Sequence, residues 1–256
     1  MAIVVILGTA SNTSVAIVVE VDGAGLSFDR RDDRFVDDLE VSLFAFDRDG
    51  RVQGGDLQTA EMALGAETHA AVAANGIRLF SRVELTPGHY QLRLGVREST
   101  GGALGSLTYD LEIPDFTADP ITMSRMAITS SDAGQTPTAK ADAELSRALP
   151  GPATTARTFS SSATLALFVE VYDTQPTPTH RVDIMTTLRA PDGVIEFRTT
   201  EDRSTEELDG ARGGWGHQAL IPLGDLAPGT YVLRTEARSR LSSQAVAVRE
   251  VQIQIQ

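Results

Sequence analysis

One nine-residue pattern occurs twice in this chain. It reads Leu85-Thr86-Pro87-Gly88-His89-Tyr90-Gln91-Leu92-Arg93, and again Leu226-Ala227-Pro228-Gly229-Thr230-Tyr231-Val232-Leu233-Arg234. In each copy a Pro-Gly turn launches an alternating strand with tyrosine near its start. A tyrosine so placed in a two-sheet sandwich turns its hydroxyl back onto backbone a few residues upstream and pins the crossover between sheets. The pattern makes Tyr90 and Tyr231 structural corner residues, with Leu92 and Leu233 alternating inward.

The corner is one of several repeated elements, all in the same order. Val19-Glu20-Val21 recurs as Val169-Glu170-Val171, Leu39-Glu40-Val41-Ser42 as Val182-Asp183-Ile184-Met185, and the turn Asp49-Gly50 as Asp192-Gly193. The spacings are 150, 143 and, for the corner, 141 residues. Strand order is kept while loops differ, the mark of a duplicated unit. Each copy ends in an alternating strand, Leu107 to Ile113 and Val246 to Ile255. Short strands separated by turn signals predict an all-β chain of two tandem immunoglobulin-like β-sandwiches, each of roughly 100 residues. Pro114 cannot donate to a ladder, so the first domain is expected over 1–114 and the second over 115–256.

Between these landmarks the chain reads less regularly. Ile3 to Leu7 and Val15 to Val21 are strand candidates, with a turn over Gly8 to Thr13. Leu26 to Asp38 is charged and reads as an exposed loop or edge. Glu67 to Ala74 is alanine-rich and is followed by Asn75-Gly76, a natural helix stop, which predicts one short helix in the first domain. Ile121 to Thr129 reads as one strand. From about 130 to 158 the chain is rich in Ala, Thr, Ser, Pro and Gly. This predicts a long irregular loop with a helical turn at Asp142 to Leu149.

The composition narrows function mainly by exclusion. A hydrophobic content of 41% supports ordinary cores. The net charge of −13 disfavours nucleic acid or an anionic membrane as partner. With no cysteine in the chain, disulfides, thiolate metal sites and cysteine nucleophiles are excluded together. The apolar run Ala2 to Leu7 has no basic residue in front of it and is too short to span a bilayer. It reads as a buried strand, with neither a signal peptide nor membrane insertion expected.

No catalytic constellation emerges. Asp47-x-Asp49-Gly50 opens like a calcium loop, but Arg51 and Gln58 stand where acids are required, which favours a plain hairpin. Asp29, Asp32, Asp33, Asp37 and Asp38 could ring a calcium ion, but Arg30, Arg31 and Arg34 interleave with them. A solvated loop is the favoured reading there. His69, His89, His180 and His217 show no metal-ligand spacing, and exposed surface is the default for His69 and His89. No catalytic residue, metal ligand or cofactor site is therefore assigned. Trp215, in Gly210-Ala-Arg-Gly-Gly-Trp215-Gly-His217, is the one candidate ligand contact, for a sugar ring or a protein. The other reading, a core or loop anchor, is favoured.

The Leu-x-Pro-Gly-x-Tyr corner resembles that of fibronectin type III and other immunoglobulin-like domains. Val19-Glu-Val-Asp22, Asp38-Leu-Glu-Val-Ser42, the first corner, Ile113-Pro-Asp-Phe116 and Phe168-Val-Glu-Val-Tyr-Asp173 together resemble the C-terminal region of the von Willebrand factor A-related proteins of acidobacteria. That resemblance runs from about Val15 to the end. It implies an exported protein in which such a region follows an A domain, and an extracytoplasmic, secreted or periplasmic setting. It carries no activity with it. The metal-site motif Asp-x-Ser-x-Ser is absent here, so no adhesion residue is carried over.

The expected function is a non-enzymatic structural or protein-interaction module of an exported or cell-envelope assembly, its protein partner unknown. The alternatives are a carbohydrate-binding accessory module using the Trp215 loop, and a hydrolase with an unrecognised site.

Overall fold

The computed structural model describes residues 2–8, 13–208, 214–242 and 244–256. The first unit runs β1 (Ala2–Gly8), β2 (Thr13–Val21), β3 (Asp29–Arg31), β4 (Arg34–Phe46), β5 (Val52–Leu64), α1 (Ala66–Asn75), β6 (Ile77–Leu85), β7 (Gly88–Glu98) and β8 (Leu104–Ile113). One sheet contains β1-β2-β6. The other contains β5-β4-β7-β8, with β3 beside the start of β4. Two-residue periodicity sets which side chains meet. Val15, Ile17 and Val19 of β2 point at Leu39, Val41 and Leu43 of β4, and all join one buried cluster with Tyr90, Leu92, Leu111 and Ile113.

After β9 (Ile121–Met123), β10 (Ala127–Ser130), β11 (Thr138–Lys140), α2 (Ala143–Ala148) and β12 (Thr158–Phe159), the plan repeats. β13 (Thr164–Asp173), β14 (Arg181–Arg189), β15 (Ile195–Ser204), β16 (Gly214–Pro222), β17 (Gly229–Ser239) and β18 (Val246–Ile255) follow. Here β10-β13-β16 faces β18-β17-β14-β15. Thus β13, β14, β15, β16, β17 and β18 stand where β2, β4, β5, β6, β7 and β8 stand in the first unit. The chain is all-β, two tandem immunoglobulin-like sandwiches. The β4–β5 and β14–β15 turns both need a positive φ, 76° at Gly50 and 90° at Gly193.

Leu26 to Asp38 is an exposed edge, one of its two expected forms: Asp29–Arg31 and Arg34–Val36 close a tight hairpin. Ile121 to Thr129 is two strands rather than one. Ser124 interrupts it, its N–H donating to Glu170 O and its Oγ accepting from Glu170 N, both at 2.8 Å. The stretch 130–158 has the helix expected at Asp142 to Leu149, as α2, and two short strand pieces within an otherwise irregular course. β11 adds parallel to β6, and β12 adds parallel to β18. Asp142 caps α2 by accepting from Glu144 N and Leu145 N.

That stretch is the filling between the sandwiches. Ala16 and Val18, on the outer face of β2, share a buried cluster with Ala166 of β13, and Phe168 packs against it. These are equivalent positions in the two copies, so the duplicated units meet through the same face. Leu145 and Leu149 complete the cluster with Phe80, Ala127 and Ala153. The turn expected after Gly8 (residues 9–12) and the glycine-rich run 210–213 lie outside the described residues.

Candidate functional site at the domain junction

The junction is built on two adjacent outward-facing residues of the first sandwich. Glu20 of β2 lies opposite Arg78 of β6 in the strand register. Their neighbours Val19 and Leu79 point into the core, so alternation sends both charged side chains toward the second domain. Arg78 is 1% exposed. Its Nε donates to Glu20 Oε1 at 2.8 Å and its NH2 lies 2.7 Å from the same oxygen, while NH1 reaches Ala133 O at 3.0 Å and Thr136 O and Thr138 Oγ1 at 3.4 Å. Glu20 also accepts from Thr154 Oγ1 at 2.9 Å, from Thr155 N at 3.2 Å and from the Thr155 hydroxyl. Burial alone would raise the Glu20 carboxyl. The hydrogen bonds from Thr155 and Arg78 and the charge of Arg78 outweigh it and hold the group below the usual carboxylate range.

A second clamp lies further along the same face of β6, at Arg82. Arg82 grips Asp142 with Nε at 2.9 Å and NH2 at 2.7 Å, and its NH1 lies 3.1 Å from Glu144. Around the rim, Arg125 NH1 donates to the Tyr109 hydroxyl at 3.2 Å. Half-buried Arg157 is lowered from the usual guanidinium range by burial, against the pull of Glu20 and Tyr109. This arrangement can hold two domains in one orientation. It presents no activated nucleophile.

Two further histidine–carboxylate contacts lie in the second sandwich. His180 Nε2 is 2.8 Å from Asp173 Oδ2, and its Nδ1 is 2.9 Å from Pro178 O. Both ring nitrogens are thus occupied in tying the β13–β14 connection. Deeper in, His217 Nε2 is 2.9 Å from Thr186 Oγ1, which is 2.9 Å from Thr235 Oγ1. His217 Nδ1 lies 3.1 Å from Glu201 Oε1, out of line for a full hydrogen bond. Hydroxyl, imidazole and carboxylate in that order are the parts of a general-base relay. But Thr186 and His217 are both 0% exposed, so no substrate atom reaches the hydroxyl. These residues lie on three strands, with no local motif to mark them; only the alternation of β14 and β16 hinted that they point inward.

The residues singled out in the sequence fall as follows. Tyr90 and Tyr231 donate to Thr86 O and Ala227 O, each at 2.8 Å. Trp215 is on β16, opposite Val171, at 2% exposure inside the second core. It is not on a loop tip and offers no face to a ligand. His69 is not simple surface: its ring stacks on Phe35 with centroids 3.8 Å apart and meets Phe28 edge-on at 5.0 Å. His89 is exposed. Asp47 closes its own hairpin, accepting from Asp49 N and Arg51 N at 2.9 Å and from Gln53 Nε2 at 2.6 Å. Asp37 turns inward to accept from Thr100 N at 3.0 Å, away from the other acids of its stretch. Among the described residues, no group of three or more His, Asp or Glu side chains is placed to hold a metal ion. No described helix is long and apolar enough to cross a membrane.

No family model matches the chain, and no curated protein does. Several solved structures are similar in outline. A calcium-binding mutant of Bacteroides uniformis β-glucuronidase 2 aligns over 94% of this chain with 9% identity and a TM-score of 0.34. The BSP domain of a biofilm associated protein aligns over 96% at 11% identity and 0.31. A DUF4785 family protein of Legionella pneumophila aligns over 94% at 10% identity and 0.28, covering 51% of that chain. The chain spans about a quarter of the length of the glucuronidase it matches, 26%.

Proposed function

We propose that this chain is a non-catalytic module that acts by binding another protein, within an exported or cell-envelope assembly. One observation carries the reading. The contact between the sandwiches buries an ion pair and an ordered segment of the second domain, so the two form one body. Domains that close on a substrate keep a small, polar, mobile interface. A fixed interface instead holds the sheet edges and loops of both units at set positions, which suits a binding scaffold. The exported setting rests on the resemblance to the von Willebrand factor A-related proteins. A net charge of −13 weighs against nucleic acid as the partner.

A second reading, a hydrolase, draws on the Thr186–His217–Glu201 order, and the burial of that relay weighs against it. The carbohydrate reading has lost its aromatic, since Trp215 is in the core. The test is a screen of the purified chain against chromogenic esters, glycosides and peptides. No turnover is expected. Turnover that Thr186→Val abolishes, with the variant still folded by circular dichroism, overturns the non-catalytic reading.

A further inference from the structure

The duplication supplies an internal comparison on the outer faces of the two five-stranded sheets. In the second unit Leu233 and Ala237 of β17 are buried, so Arg234, Glu236 and Arg238 share its outward side. The Glu236 carboxylate bridges the two arginines, 2.6 Å from Arg234 NH2 and 2.8 Å from Arg238 NH2. Glu250 of β18, opposite Arg234 in the register, holds Arg234 NH1 at 2.6 Å.

The first unit has both arginines and neither carboxylate. Phe44 faces Arg93 as Thr187 faces Arg234, and Glu40 faces Arg97 as Asp183 faces Arg238. By the same register Gly95 stands in the place of Glu236, and Thr108 in that of Glu250. Arg93 is exposed and lies over the Phe46 ring at 4.4 Å, its Nε donating to Gln91 Oε1 at 2.9 Å. Among the described residues no carboxylate is within ion-pair reach of it. Arg97 has one, Glu40 at 3.3 Å, in a pair whose side chains are 61% and 52% exposed. A pair so exposed contributes little, so a second carboxylate can share or replace it. Beside Gly95 opens a cavity of about 450 Å³, with Ser42, Leu57, Leu104, Arg97 and Glu40 among its walls. Leu57 and Leu104 are the two most exposed large apolar side chains described, at 70% and 75%. They stand on β5 and β8, three strand spacings or about 14 Å apart, with Ser42 and Gly95 on the two strands between.

We propose that this cavity receives an acidic side chain of a partner protein, its carboxylate set between Arg93 and Arg97 as Glu236 is set between their counterparts, with aliphatic side chains of the partner over Leu57 and Leu104. The second unit fixes the charge of the occupant, because the equivalent two arginines there hold a carboxylate. The two leucines fix its size, being too far apart for one small carboxylic acid to touch both. An extended segment Leu-x-Glu-x-Leu turns all three side chains to one face, with the outer two about 13 Å apart. A central arginine with apolar contacts around it is a common composition for the centre of a protein interface. This rests on the reading of the chain as a protein-binding module, and names the partner's chemistry.

The probe is the fluorescein-labelled peptide Ser-Leu-Ser-Glu-Ser-Leu-Ser. Titrated with the full chain and followed by anisotropy, it is expected to bind saturably at one site. The same peptide with Gln in place of Glu is expected to bind at least tenfold more weakly. Gly95→Glu, which gives the first unit the carboxylate of the second, is expected to weaken binding of the Glu peptide at least tenfold. Arg93→Gln is expected to do the same. It changes an exposed side chain, and so stands even if Gly95→Glu, whose Cβ would meet Ser42 Oγ at 2.8 Å, fails to fold. Arg234→Gln, in the second unit, is expected to leave binding unchanged. No saturable binding to the full chain, equal binding of the Glu and Gln peptides, or unchanged binding by Arg93→Gln overturns the proposal. Glutarate binding as tightly as the peptide would assign the site to a small carboxylate, and dimers of the chain that Arg93→Gln abolishes would assign it to a second copy; either overturns it too. None of these results touches the non-catalytic reading, which the hydrolysis screen tests separately.

Discussion

Glu20 and Arg78 face each other on neighbouring strands of the first sandwich, yet the groups that complete their hydrogen bonding come from the second. An ion pair satisfied in this way is costly to break from one side, because the charge left behind stays buried. Arg78→Ala is expected to destabilise the chain by about 3–5 kcal/mol. The double variant Glu20→Gln/Arg78→Met is expected to lose less than Arg78→Ala alone. Urea unfolding of the three proteins checks it, and a double variant worse than the single one would contradict it.

Several carboxylates are lowered in the folded protein, and two of them, Glu20 and Glu98, show the cause most clearly. Glu20 is held low as described. Glu98, 2% exposed, would be raised by burial, but N–H groups of Gly101, Ala103 and Ser27 outweigh that and lower it. A carboxylate lowered in the folded state adds stability that is present above its unfolded value, about 4.3 for glutamate, and is lost as pH falls through the lower folded value. Stability is therefore expected to fall below about pH 4.3. Glu20→Gln lacks one of these contributions and should show a shallower decline. Unfolding midpoints between pH 7 and pH 3 report this directly.

Tyr90→Phe and Tyr231→Phe each remove the donor of one corner bond and leave a backbone carbonyl short of a partner. Each is expected to cost about 1–3 kcal/mol. Midpoints equal to wild type in both variants would show that the corners do not carry stability.

Trp215 is the only tryptophan in the chain, which makes its environment readable. At 2% exposure its emission should lie to the blue, resist quenching by iodide, and shift red on unfolding. Trp215→Ala is expected to cost about 3–5 kcal/mol. An indole quenched freely in the folded protein would put it back on the surface.

The repeated corner, the Asp-Gly turns and the alternation of β4 and β14 are local features, and each can be read from a few residues. Alternation gives a strand's two faces, but not what lies on them. Thus Ala16 and Val18 are recognisable as strand residues, while their burial depends on Leu145 and Leu149, far along the chain. The stretch 130–158 has little periodicity of its own, because its order is imposed by Arg78 and Arg82. His69 was hidden in the same way, since Phe35 and Phe28 meet it from another hairpin. Trp215 lay beside glycines that suggested a loop, while the pairing of its strand with β13 set its burial.

Asp142 has a further consequence. The same carboxylate that caps α2 is gripped by Arg82 of the first sandwich. A six-residue helix is too short to persist in water unaided, so α2 forms where that arginine is already in place. The earlier copy of the duplicated unit thus holds in place a helix that belongs to the later one, and a cut between the two would leave that helix without its anchor.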